Sequence, residues 1–324
     1  MLEHGGRLGR AAREFSMPRE AWLDLSTGIS PHAWPLPPVP ASAWHRLPED
    51  DDGLLDAARD YYGTDHVLPV AGSQAAIGAL PRLRPPSRVA VVDPAYAEHA
   101  HAWRQAGHEV VALPLEELLA HASTFDVLVL VRPNNPTGVC LDRHRLLELH
   151  ADARRPWLLV DEAFIDTQPE QSLVSHVREG LIVLRSVGKF FGLAGARAGF
   201  VAAWPALLEA LAEALGPWTL AGPTRHVVAQ ALADRAWQAS ARTWLRDASA
   251  RLAALLTRHD LRPSGGCEFF QYCERPDAEA LYRALATRGI LVRHFSAPQA
   301  LRFGLPADDT AFARLDRALT ELRA

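Results

Sequence analysis

Six short apolar runs, separated by helical patterns, dominate the chain between about residues 65 and 205. Each run is continuously apolar, as expected of strands that are buried on both faces of a sheet. The predicted strands are Val67–Val70, Val89–Val92, Val127–Val131, Trp157–Val160, Leu181–Leu184 and Ala198–Val201. Predicted helices lie between several of them, at Gln74–Leu83, Glu98–Ala106 and Arg143–Ala153. This alternation predicts an α/β fold of three layers, in which helices cover both faces of a mostly parallel sheet.

The pattern changes after about residue 205, where longer helices give way to isolated strands. The predicted helices are Pro205–Leu215, Pro223–His259, Asp277–Thr287 and Asp308–Leu322, and the predicted strands are Glu268–Tyr272, Ile290–Arg293 and Ala300–Gly304. We expect a smaller α+β domain there. The proline-rich stretch Pro31–Pro48 predicts an extended arm without regular structure. The expected divisions are a substrate-contacting arm at 1–45, a large domain at 46–215 and a small domain at 216–324.

Charge and cysteine content exclude several classes of function. The net charge of the 324 residues is −4, with no basic stripe, which argues against a nucleic-acid partner. No apolar run approaches the length of a membrane span, and the polar, arginine-rich N-terminus lacks the apolar stretch of a secretory signal. Three cysteines without metal-ligand spacing predict neither a disulfide framework nor a metal site. We therefore expect a cytoplasmic protein.

The chain contains a single lysine, Lys189, among 33 arginines. Arginine stays protonated, whereas lysine can lose its proton and attack a carbonyl as a neutral amine. Taken alone, a single lysine could equally be a surface residue. However, Lys189 follows the predicted strand Leu181–Leu184, with Ser186 three residues before it and Arg197 eight residues after it. Its aromatic and apolar neighbours are expected to lower its pKa.

Polar side chains follow the other predicted strands at the edge where open parallel sheets bind ligands. Ser73 and Gln74 open a helix, either as a phosphate-binding turn or as a plain helix cap. Tyr96 could stack on a flat ring or pack in the core. Asn135 lies in a loop fixed by two prolines and a glycine, which could also be only a tight turn. Asp161 ends a buried strand, where a carboxylate needs a cationic partner.

Three motifs occur in order: Asn-Asn-Pro-Thr-Gly at 134–138, Asp-Glu-Ala-Phe at 161–164, and Ser-x-x-Lys at 186–189 with Arg197 eight residues later. Together they resemble the fold-type I enzymes that use pyridoxal 5'-phosphate (PLP), the aspartate aminotransferase superfamily. The resemblance covers essentially the whole chain. It implies a homodimer with a large PLP-binding domain and a smaller C-terminal domain.

The resemblance also implies a role for each motif residue. Lys189 would form a Schiff base with the cofactor and later move protons, while Asp161 would keep the pyridine nitrogen protonated so that the ring can accept electrons. Asn135 would donate a hydrogen bond to the phenolic oxygen, and Tyr96 would stack on the ring. The cofactor phosphate would be held by Ser73, Gln74, Ser186 and Arg197.

The ends of the chain narrow the resemblance. His4-Gly5-Gly6 and the stretch around Gly28 resemble the branch that contains threonine-phosphate decarboxylases and histidinol-phosphate aminotransferases, and the opening is most similar to the decarboxylases. This implies decarboxylation of a small phosphorylated amino acid, L-threonine O-3-phosphate, in cobalamin biosynthesis. Arg302 would bind the substrate carboxylate, and Arg293 with His4 the phosphate. With so many arginines in the chain, either one could instead be a surface residue.

Two alternatives remain open from the sequence. An aminotransferase for a phosphorylated substrate such as histidinol phosphate would share all these residues, and a binding protein with this fold is the other possibility. Two positions depart from the family pattern: Phe164 replaces a tyrosine that contacts the phenolic oxygen, and Leu47 replaces a tyrosine that reaches the cofactor phosphate of the partner subunit. Those two contacts are therefore in doubt.

Overall fold

The computed structural model describes residues 4–151 and 157–322. In chain order, its strands are β1 (Leu23–Leu25), β2 (Val67–Val70), β3 (Arg88–Val92), β4 (Glu109–Leu113), β5 (Val127–Val131), β6 (Trp157–Asp161), β7 (Leu181–Ser186), β8 (Gly199–Ala202), β9 (Gly265–Cys267), β10 (Phe270–Glu274), β11 (Ile290–Ser296) and β12 (Gln299–Gly304). Its α-helices are α1 (Leu8–Glu14), α2 (Ser42–His45), α3 (Leu54–Tyr62), α4 (Ser73–Ala79), α5 (Glu98–Gln105), α6 (Leu115–Ala120), α7 (Arg143–Ala151), α8 (Val187–Phe190), α9 (Pro205–Leu215), α10 (Gly222–Ala233), α11 (Arg235–Arg258), α12 (Ala278–Ala286) and α13 (Asp309–Glu321).

The chain divides into two compact units. The smaller unit comprises Met1–His32, Pro136–Val139 and Ala241–Ala324, and the larger unit comprises Ala33–Asn135 and Cys140–Ser240. Each unit has its own sheet.

The sheet of the larger unit has the strand order β2-β8-β7-β6-β5-β3-β4. The five strands from β7 to β4 are parallel to one another, and β8 is antiparallel to both of its neighbours, β2 and β7. Side chains of the central strands, such as Val129, Leu159 and Ile182, are buried in one apolar cluster. The predicted α/β fold with a mostly parallel sheet is confirmed.

Because β5, β6 and β7 are adjacent and parallel, their carboxyl ends meet at one edge of the sheet. The residues that follow these three strands therefore come together although they are distant in the sequence. This edge is where most of the candidate cofactor residues lie.

The sheet of the smaller unit has the order β1-β11-β12-β10-β9. Strand β1 is parallel to β11, and the other pairs are antiparallel. Near β1, the side chains of Ala11, Trp22, Ala286 and Leu291 form a buried cluster that joins α1 to α12 and β11. The expected α+β character of the C-terminal part is confirmed.

The structure differs from the sequence prediction at several elements. The predicted helix Pro223–His259 is two helices, because the carboxylate of Asp234 accepts the Trp237 N–H at 3.0 Å and so caps the start of α11. The proline-rich arm contains one short helix, α2. The predicted helix end at Ala153 lies outside the described residues. Across the described part of the chain, no helix combines the length and apolarity needed to span a membrane.

Candidate active site

Three proposed phosphate ligands gather around Gly199 in the larger unit. Ser186 on β7 is the register partner of Gly199 on β8. A Cβ atom added to Gly199 would lie 2.7 Å from the backbone nitrogen of Ser73, and one added to Gly72 would lie 2.7 Å from Nη2 of Arg197. The backbone N–H of Ser73 and the guanidinium of Arg197 thus lie close to two glycines at which no side chain fits. This donor set suits a phosphate group.

The two other predicted residues at this end, Gln74 and Tyr96, bind each other. The Tyr96 hydroxyl donates to Oε1 of Gln74 at 3.1 Å, and Nε2 of Gln74 donates to Glu98 at 3.1 Å. Burial raises the pKa of Tyr96 to about 12, so its ring stays neutral. The hydrogen bonds connect the start of α4 to the residue proposed to stack on the cofactor ring.

Asp161, at the end of β6, is buried and bonded to a residue that the sequence did not indicate. Its Oδ2 lies 2.9 Å from Nε2 of His99 on α5, and its Oδ1 accepts the Ala163 N–H at 3.0 Å. His99 is also buried. The only available signal was its position in the predicted helix Glu98–Ala106, three residues after Tyr96. The hydrogen bond to His99 fixes this carboxylate, and its pairing with the pyridine nitrogen stays a prediction.

Lys189 is half-buried in α8, directly after β7. Its Nζ lies 5.6 Å from the centroid of the buried Phe164 ring. Asn135 is half-buried in the loop after β5, and its neighbour Asn134 donates Nδ2–H to the Pro94 carbonyl at 2.8 Å. This bond ties the Asn135 loop to the loop that leads to Tyr96.

The residues of the larger unit fit PLP. The glycine-lined cradle offers phosphate donors, a buried carboxylate fixed by histidine suits a protonated ring nitrogen, and the single lysine follows the adjacent strand. In the part of the chain that the structure describes, no three histidine, cysteine or acidic residues are grouped so as to hold a metal ion.

In the smaller unit, the N-terminal segment and Arg302 converge on Ser26. Nη2 of Arg302 donates to the Ser26 carbonyl at 3.0 Å, and the Gly6 N–H donates to Ser26 Oγ at 2.8 Å. A Cβ atom on Gly5 would lie 2.2 Å from the same carbonyl oxygen. The paired glycines therefore allow the backbone to pass close to Ser26 and bring His4 into the same region.

Arg302 and Arg293 occupy paired positions on β12 and β11. Arg302 is buried over the ring of Phe270, with its Cζ 4.9 Å from the centroid. Burial, and then the charge of Arg293, lower the pKa of Arg302 to about 10, so it remains cationic at neutral pH. Two neighbouring guanidinium groups, one of them buried, suit an anionic ligand.

A cavity of about 250 Å³ in the smaller unit brings several of the predicted substrate residues together. His4, Ser26 and Arg293 line it, as do Arg7 and Arg10, which the sequence analysis did not single out. Their only sequence signal was their closeness to the His-Gly-Gly opening. Arg302 does not line this cavity but is joined to it through Ser26.

Gly28, the remaining predicted substrate residue, is buried just after β1. The carbonyl of the preceding Thr27 would lie 2.3 Å from a Cβ atom on Gly304. This contact places the Gly28 segment against the end of β12, two residues beyond Arg302.

Comparison with known proteins agrees with this geometry. Residues 47–320 match the model of the family described as aminotransferase class I and II. A threonine-phosphate decarboxylase from Pseudomonas aeruginosa is 56% identical over 322 residues, which cover 98% of this chain and 97% of that protein. A threonine-phosphate decarboxylase from Sinorhizobium sp is 42% identical over 331 residues, covering 99% and 98%.

The fold is also found among solved structures. The crystal structure of histidinol-phosphate aminotransferase from Sinorhizobium meliloti, in complex with pyridoxal-5'-phosphate, superposes with a TM-score of 0.84 at 20% identity, covering 99% of this chain and 95% of that one. At this identity the likeness concerns the fold alone. The family match and the two similar relatives establish more than the fold. They show that the chain belongs to the aminotransferase class I and II family.

Proposed function

We propose that this protein is a PLP-dependent carboxy-lyase that removes CO₂ from L-threonine O-3-phosphate and forms (R)-1-amino-2-propanol O-phosphate, a step in cobalamin biosynthesis. The observation that carries the proposal is the 56% identity, over nearly the whole chain, to a threonine-phosphate decarboxylase. The arginine pair on β11 and β12 supports a substrate with two anionic groups.

When bound, PLP supplies an electron sink for the charge that remains on the substrate α-carbon as the carboxylate departs. Asp161, fixed by His99, provides the negative charge that keeps the ring nitrogen protonated. Asn135 would donate a hydrogen bond to the phenolic oxygen. Ser73, Gln74, Ser186 and Arg197 would hold the phosphate and so keep the ring from rotating, and Tyr96 would stack on the ring.

Lys189 would supply both the amine that holds the cofactor and the group that carries a proton. Its Nζ would be the group that returns a proton to the substrate α-carbon after CO₂ has left. The Phe164 ring, whose centroid lies 5.6 Å from Nζ, offers no hydroxyl, so Asn135 is the side chain that we assign to the phenolic oxygen. Arg302 binds the substrate carboxylate until it is released, and Arg293 with His4 binds the phosphate.

The test is an assay of the purified protein with PLP and L-threonine O-3-phosphate. We expect CO₂ release and formation of the amino alcohol phosphate without any 2-oxo acid. Transfer of the amino group to 2-oxoglutarate, with glutamate formed and no CO₂, would establish the alternative, an aminotransferase for a phosphorylated substrate such as histidinol phosphate. The absence of both reactions, together with tight PLP binding, would favour a binding protein.

We also propose a cytoplasmic homodimer. The exposed side chains of Leu36, Trp44, Leu47 and Trp218 in the larger unit support a subunit interface. Sedimentation equilibrium should give twice the 35.5 kDa mass of the chain. Because Leu47 has no hydroxyl, we expect no hydrogen bond from this position to the partner's cofactor. The odd number of cysteines supports a reducing compartment.

The division into an arm at 1–45, a large domain at 46–215 and a small domain at 216–324 stays a prediction. Limited proteolysis of the apoprotein would test it, since cleavage is expected at exposed segments between independently folded parts.

A further inference from the structure

Four charged side chains are buried behind the carboxyl ends of the central strands of the larger unit. Arg132 directly follows β5, Glu162 directly follows β6, and Arg185 is the last residue but one of β7. Together with Asp166 they form what we call the charge cluster, and each is at most 2% exposed. None of these residues has a role in the reaction proposed above.

Glu162 is the centre of the charge cluster. Its Oε1 accepts from Nη1 of Arg132 at 3.0 Å and from the Leu173 N–H at 3.0 Å. Its Oε2 accepts from the Ser172 hydroxyl at 2.5 Å and lies 3.5 Å from Nη1 of Arg185. The same hydroxyl accepts from Nη1 of Arg185 at 2.8 Å. One carboxylate thus connects the two arginines.

Asp166 completes the cluster at its other end. It accepts from Nη2 of Arg185 at 2.5 Å and from the Tyr61 hydroxyl at 2.7 Å. The Arg185 guanidinium also lies over the Tyr62 ring, with 4.9 Å from its Cζ to the centroid. The two arginines and the two acids balance in charge. Because the groups are buried, loss of either acid would leave a positive charge without compensation.

Each of the three strand ends carries one cluster residue and one proposed cofactor contact within three residues of each other. The pairs are Arg132 with Asn135, Glu162 with Asp161, and Arg185 with Ser186. Successive side chains of a strand point to opposite sides, so Arg185 and Ser186 on β7 can serve the cluster and the site separately. Backbone bonds also link the ends: the Arg132 N–H donates to the Asp161 carbonyl at 2.8 Å, and the Glu162 N–H to the Leu184 carbonyl at 2.9 Å.

We propose that Glu162 is a positioning residue that fixes the cofactor-binding loops from behind. By holding Arg132 and Arg185 at set distances, its carboxylate fixes the spacing of the three strand ends and so the positions of Asn135, Asp161 and Ser186. The inference rests on the proposed PLP binding and adds a residue that acts through others.

The test is PLP binding to the apoprotein, measured by equilibrium dialysis and independent of turnover. Glu162→Gln keeps the size of the side chain and removes its charge, and we expect the Kd for PLP to rise roughly tenfold because misplaced contacts bind weakly. Glu162→Asp, which restores the charge, should recover part of that affinity. Ser172→Ala removes only the bridging hydroxyl and should raise the Kd by a smaller factor.

Asp52→Asn is the matched control in the same unit. Asp52 pairs with Arg225, with 2.5 Å between Oδ2 and Nε, and neither residue has a proposed contact with the cofactor. We expect this variant to lower the thermal unfolding midpoint and to leave the Kd for PLP unchanged.

Three results would overturn the inference. The first is a wild-type Kd in Glu162→Gln, and the second is an equal rise in Asp52→Asn, which would indicate a general loss of stability. If Glu162→Gln does not fold, the inference is tested with Ser172→Ala instead. The third overturning result is a wild-type Kd for PLP in Ser172→Ala. Wild-type protein that binds no PLP would instead contradict the proposed function and remove the basis of the inference with it.

Discussion

In the larger unit, Glu162 lies between two buried arginines and Asp161 is bonded to His99. In the smaller unit, by contrast, Arg293 and Arg302 occupy paired strand positions, and Arg302 donates to a neutral carbonyl and packs on a ring. The first region pairs buried arginines with buried acids, and the second places two arginines at neighbouring strand positions.

This difference matches the two kinds of ligand that we propose. A cofactor that stays bound through many turnovers benefits from contacts that are already rigid, because little ordering is then needed on binding. A substrate that enters and leaves can itself supply the anions that two guanidinium groups attract. The comparison therefore predicts that substitutions in the larger unit affect cofactor binding and chemistry, whereas those in the smaller unit affect substrate affinity.

The largest effect is expected at Lys189. Lys189→Ala should lower turnover on the order of 10⁴-fold or more, because no other side-chain amine is present. Lys189→Arg keeps the cation but cannot act as a neutral amine, and should be equally inactive. Borohydride reduction of the wild-type holoenzyme, followed by peptide mapping, should place the cofactor on the Lys189 peptide. A reduced adduct elsewhere, or activity in Lys189→Arg, would contradict the assignment.

The next effect concerns Arg302 in the smaller unit. Arg302→Gln should raise the KM for L-threonine O-3-phosphate about 100-fold, since a charged, two-pronged contact with the carboxylate is lost. Arg302→Lys keeps the charge without the forked geometry, so its KM should lie between those of the wild type and Arg302→Gln. PLP binding should be unchanged in both variants. A raised Kd for PLP with an unchanged KM would contradict the prediction that substitutions in the smaller unit affect substrate affinity and not cofactor binding.

A smaller effect is expected at His99 in the larger unit. His99→Phe should lower kcat about tenfold and raise the KM much less, because Asp161 would lose the group that fixes it. His99→Gln retains an amide N–H that can bond to Asp161, so its kcat should fall less than that of His99→Phe. The measurement is kcat and KM over a range of pH. Equal kcat for His99→Phe and wild type would mean that Asp161 is held well enough without the histidine.

The smallest effect concerns stability in the smaller unit. The hydrogen bond from His259, 2.7 Å from Asp316, lowers the pKa of this carboxyl. Since the folded-state pKa lies below the unfolded value of about 3.9, the stabilisation is present above that pH and is lost as the pH falls through the folded-state pKa. Asp316→Asn should lower the Tm by about 1 °C at neutral pH. Plotted against pH, the Tm values of the variant and the wild type should converge in acid. A constant difference down to pH 2 would contradict this.

Strands that are buried on both faces could be read from the sequence, and the bounds predicted for β5 agree with the structure at both ends. Strand β4 was missed because it lies at the sheet edge with a mixture of exposed and half-buried side chains. Strand β1 was missed because it has only three residues and pairs with β11, from the other end of the chain. Its existence depends on a tertiary contact that no local pattern records.

In the candidate site, too, residues within a local pattern could be predicted and residues placed by tertiary contacts could not. Lys189, Asp161 and Asn135 could be singled out because each follows a recognisable strand within a motif. His99 could not, because its bond to Asp161 depends on how α5 packs against the sheet. Glu162 lay within one of the motifs, yet its partners become visible only when three strand ends are placed side by side.

The close approach of Gly5 to the Ser26 carbonyl has a practical consequence for producing the protein. An affinity tag fused ahead of His4 would adjoin a segment in which Gly5 leaves no room for a side chain and which lines the arginine-rich cavity. A polyhistidine tag there would also bring imidazole groups close to this cavity, which we propose binds the substrate phosphate, and would interfere with measurements of that binding. Purification handles therefore belong after α13, at the other end of the chain.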